Sequence, residues 1–240
     1  MSRIFIFLVL CLSLLSFSAC AALQQDQMSA VSSALANYYP KIKYQQINAT
    51  PVAGIYEILV ENNEIIYFAP ATGHIFLGQL WSADGHDLTQ ESKDRLLSAK
   101  LKLFPLDKAI KIGNGPNQVI EVTDPDCPFC RQSEEFFANR DDVTRYIYLF
   151  PLSRIHPHSE AKARYILSPA DPVAAYEDVF SGMYDSQPPP EVKDNSLLDI
   201  QRKIIAQVGI NGTPHFWING QHVSGYNPQQ FETLLNKTAK

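Results

Sequence analysis

Apolar and polar positions divide the chain into two differently patterned halves. In the first half, apolar residues recur at close to helical spacing from Gln24 to Tyr39, which predicts a helix that Pro40 ends. Short apolar runs between turn residues then predict an antiparallel meander of three strands, at Ile55–Val60, Ile65–Phe68 and Ile75–Leu80. This small piece is marginal alone and would gain stability by pairing with a second copy of itself.

A linker helix is predicted between the two halves, over residues 88–104. This segment contains no Gly or Pro and has apolar residues near helical spacing, at Leu96, Leu97, Leu101 and Phe104. Pro105 marks its end.

The second half mixes strands and helices. An apolar strand at Val119–Thr123 leads through a sharp turn into a helix from Pro128 to about Asn139. A strand at Val143–Phe150 follows. A helical block comes next, with segments at Ser159–Leu167, Val173–Met183 and Leu197–Val208. The turn Asn219-Gly220 predicts a hairpin, and Pro228 begins a last helix.

The N-terminus has the order of a secretory signal peptide, predicted over residues 1–22. A positive residue at Arg3 precedes an apolar run from Ile4 to Phe17, and small residues follow. The run is shorter than the roughly 20 residues of a spanning helix, which disfavours a permanent membrane anchor. Cleavage at Ala19-Cys20-Ala21 would release the protein, whereas a lipobox interpretation of the same stretch would make Cys20 a lipidation site.

Charge and cysteine content reduce the number of possible functions further. The net charge of -5 without any basic stripe argues against nucleic-acid binding. Of four cysteines, Cys11 and Cys20 lie in the predicted signal segment, which leaves Cys127 and Cys130 in the mature chain. One Cys-x-x-Cys pair in an exported protein of this size indicates chemistry or metal binding more than a disulfide scaffold.

The pattern strand, turn, Cys-x-x-Cys, helix favours thiol chemistry. It places Cys127 at a helix N-terminus, where free N–H groups and the helix dipole stabilise a thiolate nucleophile. Cys130 lies one turn on, where it can attack a mixed disulfide formed at Cys127, and Pro128 suits the first helical turn. A zinc site would need further Cys or His ligands, and a structural disulfide closing so small a loop would stabilise little.

Several motifs together resemble the DsbC/DsbG family of disulfide isomerases. The strand and turn at 119–130, with the sequence VIEVTDPDCPFC, precede the helical block and then Gly212-Thr213-Pro214. Segments 51–56 and 65–74 resemble the N-terminal dimerisation domain of that family, and segment 223–228 resembles its C-terminal turn. The resemblance covers essentially the whole mature chain.

The resemblance implies a fold class with three parts. We expect an α+β N-terminal dimerisation domain over residues 24–87 and the linker helix over 88–104. An α/β thioredoxin-fold catalytic domain is expected over 105–240, with a helical insertion at about 152–208.

The resemblance also implies roles for particular residues. Thr213 and Pro214 match the loop that faces the cysteines, where the proline is cis and the Thr213 backbone pairs with substrate. Glu121 lies where thioredoxin-like proteins often hold a buried carboxylate, which would accept a proton as Cys130 is deprotonated; the alternative is a solvated glutamate at a sheet edge. The dipeptide Pro128-Phe129 between the cysteines departs from the Gly-Tyr of DsbC, and the extra structural cysteine pair of DsbC is lacking.

Three functions remain open at this point. The first is a periplasmic homodimeric disulfide isomerase or reductase that acts on misfolded or misoxidised exported proteins. The second is a dithiol oxidase of the DsbA kind, and the third is a chaperone-type binding module with secondary redox activity. No organic cofactor or metal is implied, and the family resemblance adds a membrane reductase of the DsbD kind as a partner.

Overall fold

The structure, a computed structural model, describes residues 25–61, 63–193 and 196–237. The predicted signal peptide and Cys20 lie outside the described residues. Within the described part of the chain, no helix is long and apolar enough to cross a membrane. The chain divides into two compact units, Met1–Thr89 and Gln90–Lys240. The sequence predicts three parts, over residues 24–87, 88–104 and 105–240, where the structure separates two units. The predicted domain boundaries stay predictions.

The first unit packs one helix on a four-stranded antiparallel sheet. Helix α1 (25–38) buries Val31 and Leu35 against Ile58 and Phe68 of the sheet. The strands lie in chain order: β1 (Tyr44–Ala49), β2 (Tyr56–Val60), β3 (Ile65–Ala69) and β4 (His74–Phe76). The helix and strands β2 and β3 confirm the predicted pattern.

Two predictions in this unit were incomplete or wrong. Strand β1 was not predicted, because its sequence YQQINA lies at a sheet edge, is largely exposed and shows no apolar alternation. The predicted strand Ile75–Leu80 ends at Phe76 instead. Leu77 is 81% exposed, and Gly78 has a φ of +146°, so the chain leaves the sheet there.

The predicted linker helix 88–104 was too long. Helix α2 covers Leu88–Ala99, and a 3-10 turn at Leu101–Leu103 follows. Phe104 is extended, with φ of −97° and ψ of 98°, as expected for a residue before proline. Leaving the helix lets the Phe104 ring pack between Tyr148 and Trp217, with ring centroids at 5.0 and 4.7 Å.

A five-stranded mixed sheet forms the centre of the second unit, in the order β5-β7-β6-β8-β9. The central strands β6 and β7 are parallel, and the other neighbours are antiparallel. Their bounds are β5 Ile110–Ile112, β6 Asn117–Thr123, β7 Val143–Leu149, β8 His215–Ile218 and β9 Gln221–Ser224. Helix α3 (Pro128–Phe137) connects β6 to β7, as a parallel strand pair requires.

The helices of this unit confirm the predicted helical block. Helices α4 (Ser159–Leu167) and α6 (Leu197–Val208) have the predicted bounds, and α5 (Val173–Phe180) is shorter by one turn. The last helix, α7 (Pro228–Asn236), begins after Asn227, whose side chain accepts a hydrogen bond from the N–H of Gln230. Apolar clusters cover both faces of the sheet, so β6 is buried along nearly its whole length.

Candidate active site

Strand β6 leads directly into the turn that carries the two cysteines. The N–H of Cys127 donates to the carbonyl of Asp124 at 3.1 Å, and the N–H of Asp126 donates to Oδ1 of Asp124 at 2.8 Å. Cys127 is extended, with φ of −74° and ψ of 122°, and Pro128 is the first residue of α3. Cys127 therefore lies at the helix N-terminus, where unpaired N–H groups favour a negative charge.

The surroundings of Cys127 stabilise its thiolate. The thiol of Cys130 contributes most, and the N–H groups of Cys130 and Phe129 and the nearby side chain of Thr213 also favour the charged form. Against the opposing effect of burial, they lower the pKa of Cys127 from 9.0 to about 5. At neutral pH this sulfur is ionised, which is the nucleophilic form of a cysteine.

Cys130 has the opposite character. It is fully buried, and burial together with the neighbouring Cys127 raises the pKa of its thiol well above the ordinary value. The N–H of Asp124 donates to its sulfur at 3.4 Å. The two cysteines are not bonded to each other in this structure. With their opposite pKa shifts, the pair combines one reactive thiolate with one protonated thiol beneath it.

The loop before β8 faces the first cysteine. The Thr213–Pro214 peptide bond is cis, and the sulfur of Cys127 lies 3.7 Å from the carbonyl oxygen of Thr213. The sequence analysis placed these residues beside the cysteines, and the structure brings them together. The carbonyl of Pro214 accepts a hydrogen bond from the N–H of Gly225, which ties the loop to the end of β9.

The buried carboxylate of Asp124 holds the active-site turn against the chain that follows β7. Its Oδ2 accepts a hydrogen bond from the N–H of Leu152 at 2.7 Å and lies 2.9 Å from Nδ1 of His156. Its Oδ1 is occupied by the N–H of Asp126. The turn below Cys127 is thus fixed on two sides.

A charged network fixes the outer side of the same turn. Nζ of the buried Lys162 donates to Oδ1 of Asp126 at 2.6 Å and to Oδ1 of Asp185 at 2.9 Å. Arg131, directly after the second cysteine, donates from both terminal nitrogens to Asp185 and from Nε to the carbonyl of Pro125. These contacts join α3 to the helical block.

Glu121 lies on β6 beneath the cysteines and is completely buried, which excludes the alternative of a solvated edge position. Arg145 of β7 donates to its Oε2 at 2.8 Å, and the same nitrogen donates to Oε2 of Glu134 on α3 at 2.6 Å. The hydroxyl of Tyr176 on α5 also donates to Glu134, at 2.6 Å. Burial raises the pKa of Glu121, although the charge of Arg145 opposes that rise.

Arg145, Glu134 and the network around Lys162 were not predicted from the sequence. For Arg145 a signal was present, because β7 alternates and Val143, Arg145 and Ile147 share its buried side. A charged residue at an inward position of an apolar strand requires a buried partner of opposite charge. Without the strand order, the sequence does not show which residue pairs with Arg145.

In the part of the chain that the structure describes, no group of three or more His, Cys, Asp or Glu side chains could hold an ion.

Two family models match the chain in sequence. Residues 19–90 match the disulfide bond isomerase protein N-terminal domain, and residues 104–239 match the thioredoxin-like domain. The predicted fold class, an N-terminal α+β domain followed by a thioredoxin-like domain, is therefore confirmed.

Relatives with names of the same kind cover between about half of the chain and 85% of it. The probable thiol:disulfide interchange protein DsbC of Bordetella pertussis is 28% identical over 207 residues, which are 85% of this chain and 72% of that protein. The thiol:disulfide interchange protein DsbG of Pseudomonas aeruginosa is 29% identical over 124 residues, 47% of each chain. A solved disulfide interchange protein from Neisseria gonorrhoeae is 35% identical with a TM-score of 0.49, over 56% of this chain and 97% of that one. From the two family models and the named relatives, the chain belongs to the DsbC/DsbG family of thiol:disulfide interchange proteins and is a thiol–disulfide oxidoreductase.

Proposed function

We propose that the protein is a homodimeric disulfide isomerase and reductase that acts on misoxidised exported proteins in the periplasm. The observation that carries the proposal is the asymmetry of the two cysteines. The pKa of Cys127 is lowered to about 5, whereas the pKa of the buried Cys130 is raised. Such a pair attacks substrates with one sulfur and holds the other in reserve as a thiol.

The reaction begins with attack of the Cys127 thiolate on a non-native disulfide. A mixed disulfide forms between Cys127 and the substrate, and the other substrate sulfur leaves as a thiolate. In isomerisation, a substrate thiolate attacks its own sulfur in the mixed disulfide and expels Cys127. In reduction, Cys130 loses its proton, attacks Cys127 and releases the second substrate thiol, with Glu121 as the proton acceptor.

The surface around the nucleophile suits an unfolded polypeptide. The backbone of Thr213 in the cis-proline loop would pair with an extended substrate segment, and Pro214 would keep metal ions from Cys127. Phe129, between the cysteines, is 58% exposed and offers an apolar contact. The Pro128-Phe129 dipeptide thus contributes a rigid first turn and a substrate contact.

Dimerisation would use the first unit. Its sheet has β1 and β4 at the two edges, and an edge strand offers unpaired backbone groups to a second copy. Exposed apolar side chains at Phe76 and Leu77 lie at and just after β4. Sedimentation at rising concentration should give a dimer, and a protein that stays monomeric at high concentration would contradict the dimeric form of the proposal.

Export places the protein in the periplasm. The signal segment 1–22 would be removed, or Cys20 would become a lipid anchor at the new N-terminus. A membrane reductase of the DsbD kind would then return the oxidised pair to the dithiol. Mass spectrometry of the protein purified from bacterial cells distinguishes the two processing routes, because lipidation adds acyl mass at Cys20.

One observation favours the dithiol oxidase as a second candidate. A low pKa at Cys127 stabilises the reduced form, and each unit of pKa makes the pair more oxidising by about 30 mV. The lowering from 9.0 to about 5 therefore favours donation of a disulfide to substrates. A reduction potential close to that of a strong oxidant, without rescue of scrambled disulfides, would select this candidate.

Recovery of a scrambled disulfide protein tests the isomerase proposal. The reduced protein should restore native disulfides catalytically, and Cys127→Ser should abolish recovery. Cys130→Ser should retain part of it, because isomerisation needs only the first sulfur. If Cys127→Ser recovers as much as the unaltered protein, the chaperone-type module becomes the better explanation.

A further inference from the structure

Three buried side-chain oxygens near the cysteines have no hydrogen-bond partner among the described residues, and one of them, Oγ1 of Thr213, lies in the cis-proline loop. The other two are Oε1 of Glu121 and Oγ1 of Thr123, whose side chains are both fully buried. Buried polar atoms in folded proteins are nearly always paired, so two neighbouring exceptions need an explanation.

The positions of these atoms relate them to Cys130. Glu121 and Thr123 are two residues apart on β6, so their side chains point to the same face of the sheet. Burial raises the pKa of both Cys130 and Glu121, and the hydroxyl of Thr123 opposes that rise in each. The Thr123 hydroxyl therefore lies near both the thiol and the carboxyl, although it is not in hydrogen-bond geometry with either.

The buried charges around Glu121 are not balanced, so the cluster can take up one proton. Arg145 is shared between the carboxylates of Glu121 and Glu134, so one positive charge faces two negative charges. The pKa of Glu134 is lowered because Arg145 and the Tyr176 hydroxyl outweigh its burial, whereas the pKa of Glu121 is raised. A proton that enters the cluster therefore binds to Glu121 and makes the cluster neutral.

The register partners of Glu121 on the neighbouring strands add no charge. Its register partner on β7 is Ile147, and its partner on β8 is Phe216. The charged or titratable groups that face Glu121 are Arg145 from β7, Glu134 from α3 and Tyr176 from α5.

We propose that Thr123 is a catalytic residue that passes the proton of the Cys130 thiol to Glu121, and that Arg145 is the positioning residue for that acceptor. The proposal rests on the proposed function and concerns its resolving step. The Thr123 hydroxyl accepts the Cys130 proton and gives its own proton to Oε1 of Glu121. The sulfur of Cys130 forms a bond to Cys127, the bond from Cys127 to the substrate breaks, and the substrate sulfur leaves with that electron pair.

The test uses Thr123→Val, which keeps the shape of the side chain and removes the hydroxyl. The reduced protein reacts with glutathione disulfide, and two rates are followed: formation of the mixed disulfide at Cys127 and release of glutathione by Cys130. At neutral pH, Thr123→Val should slow the release about tenfold or more and leave the formation unchanged. Thr123→Ser, which restores a hydroxyl, should recover most of the release rate.

Thr144→Val is the matched control. It removes a threonine hydroxyl from β7, where that group donates to the carbonyl of Gly115 at 2.7 Å, and it should leave both rates unchanged. Release from Thr123→Val at the rate of the unaltered protein, or equal slowing in Thr123→Val and Thr123→Ser, would overturn the relay. If no mixed disulfide forms in the unaltered protein, the proposed function fails first and the relay fails with it.

Arg145→Lys tests the positioning role through the pH profile. A single ammonium cannot hold both carboxylates as the guanidinium does, so the pKa of Glu121 should rise further and a larger fraction of the acceptor should be protonated at neutral pH. Glutathione release should then be slow at neutral pH and recover as the pH is raised. Release that is slowed equally at every pH, or not at all, would overturn the positioning role.

Discussion

Glu121 and Arg145 form a buried ion pair across two parallel strands, with 2.8 Å between Oε2 of the glutamate and Nη2 of the arginine. The strand register places Arg145 beside Val119, so its side chain reaches two residues along the neighbouring strand. Neither side chain is more than 3% exposed. In the proposed mechanism, the pair therefore links the stability of the sheet to the proton acceptor beneath the cysteines.

Removal of Arg145 should destabilise the protein strongly. Arg145→Met leaves Glu121 and Glu134 buried without their shared cation, and the free energy of unfolding should fall by about 3–5 kcal/mol. The double variant Arg145→Met, Glu121→Gln should regain part of that loss, because one of the two carboxylates is gone. Denaturant unfolding of the single and double variants measures the coupling.

The pH dependence of that loss has a defined sign. The pKa of Glu121 is already raised above its ordinary value of 4.5, and loss of Arg145 raises it further. A raised carboxyl pKa costs nothing below the unfolded value and costs progressively more as the pH rises above it. The destabilisation by Arg145→Met should therefore shrink as the pH falls toward 4.5. A loss that is independent of pH would show that Glu121 does not carry the effect.

Cys127 should titrate with a pKa of about 5, because Cys130 and the helix N-terminus stabilise its thiolate. The ultraviolet absorbance of the thiolate and the rate of alkylation should both fall as the pH decreases through this value. Cys130→Ala removes the strongest hydrogen bond to the sulfur and should raise the pKa of Cys127. An unchanged midpoint in Cys130→Ala would mean that the helix N-terminus alone stabilises the thiolate.

Glu121→Gln should slow the resolving step and spare the attacking step. The amide cannot accept the proton of Cys130, so the mixed disulfide at Cys127 should persist longer at neutral pH, by about tenfold or more. Trapping of the mixed disulfide by acid quench at successive times gives the rate. Undiminished resolution in Glu121→Gln would remove the proton-acceptor role.

Lys162 should contribute to stability through the network around the active-site turn. It is 3% exposed, and Lys162→Met removes the contacts to Asp126 and Asp185. Unfolding should require about 3 kcal/mol less free energy, near the low end for a buried pair because Arg131 still bonds Asp185. The exposed pair of Lys108 with Asp107 supplies the control, since Lys108→Met should leave the free energy of unfolding almost unchanged.

Local patterns in the sequence were sufficient to predict the helices and strands that bury one apolar side. Helices α4 and α6 have the predicted bounds, and the Cys127 turn follows from strand, proline and helix signals in a dozen residues. Strand β1 could not be predicted in the same way, because an exposed edge strand is held by backbone pairing with β2 and needs no apolar pattern.

In the candidate site, too, some residues could be predicted from local patterns and others could not. Cys127 and Cys130 are three residues apart, so local spacing brings them together, and Thr213 was placed beside them through the resemblance. The partners of Glu121 are 24 residues and 13 residues further along the chain, at Arg145 and Glu134. Their meeting depends on strand order and on the packing of α3, which no local pattern specifies.

The most direct measurement is recovery of a scrambled disulfide protein, made together with the reduction potential of the Cys127–Cys130 pair. The account predicts that the reduced protein restores native disulfides catalytically and that Cys127→Ser does not. A strongly oxidising pair that introduces disulfides into reduced substrates but never rescues scrambled ones would contradict the isomerase function and establish the oxidase in its place.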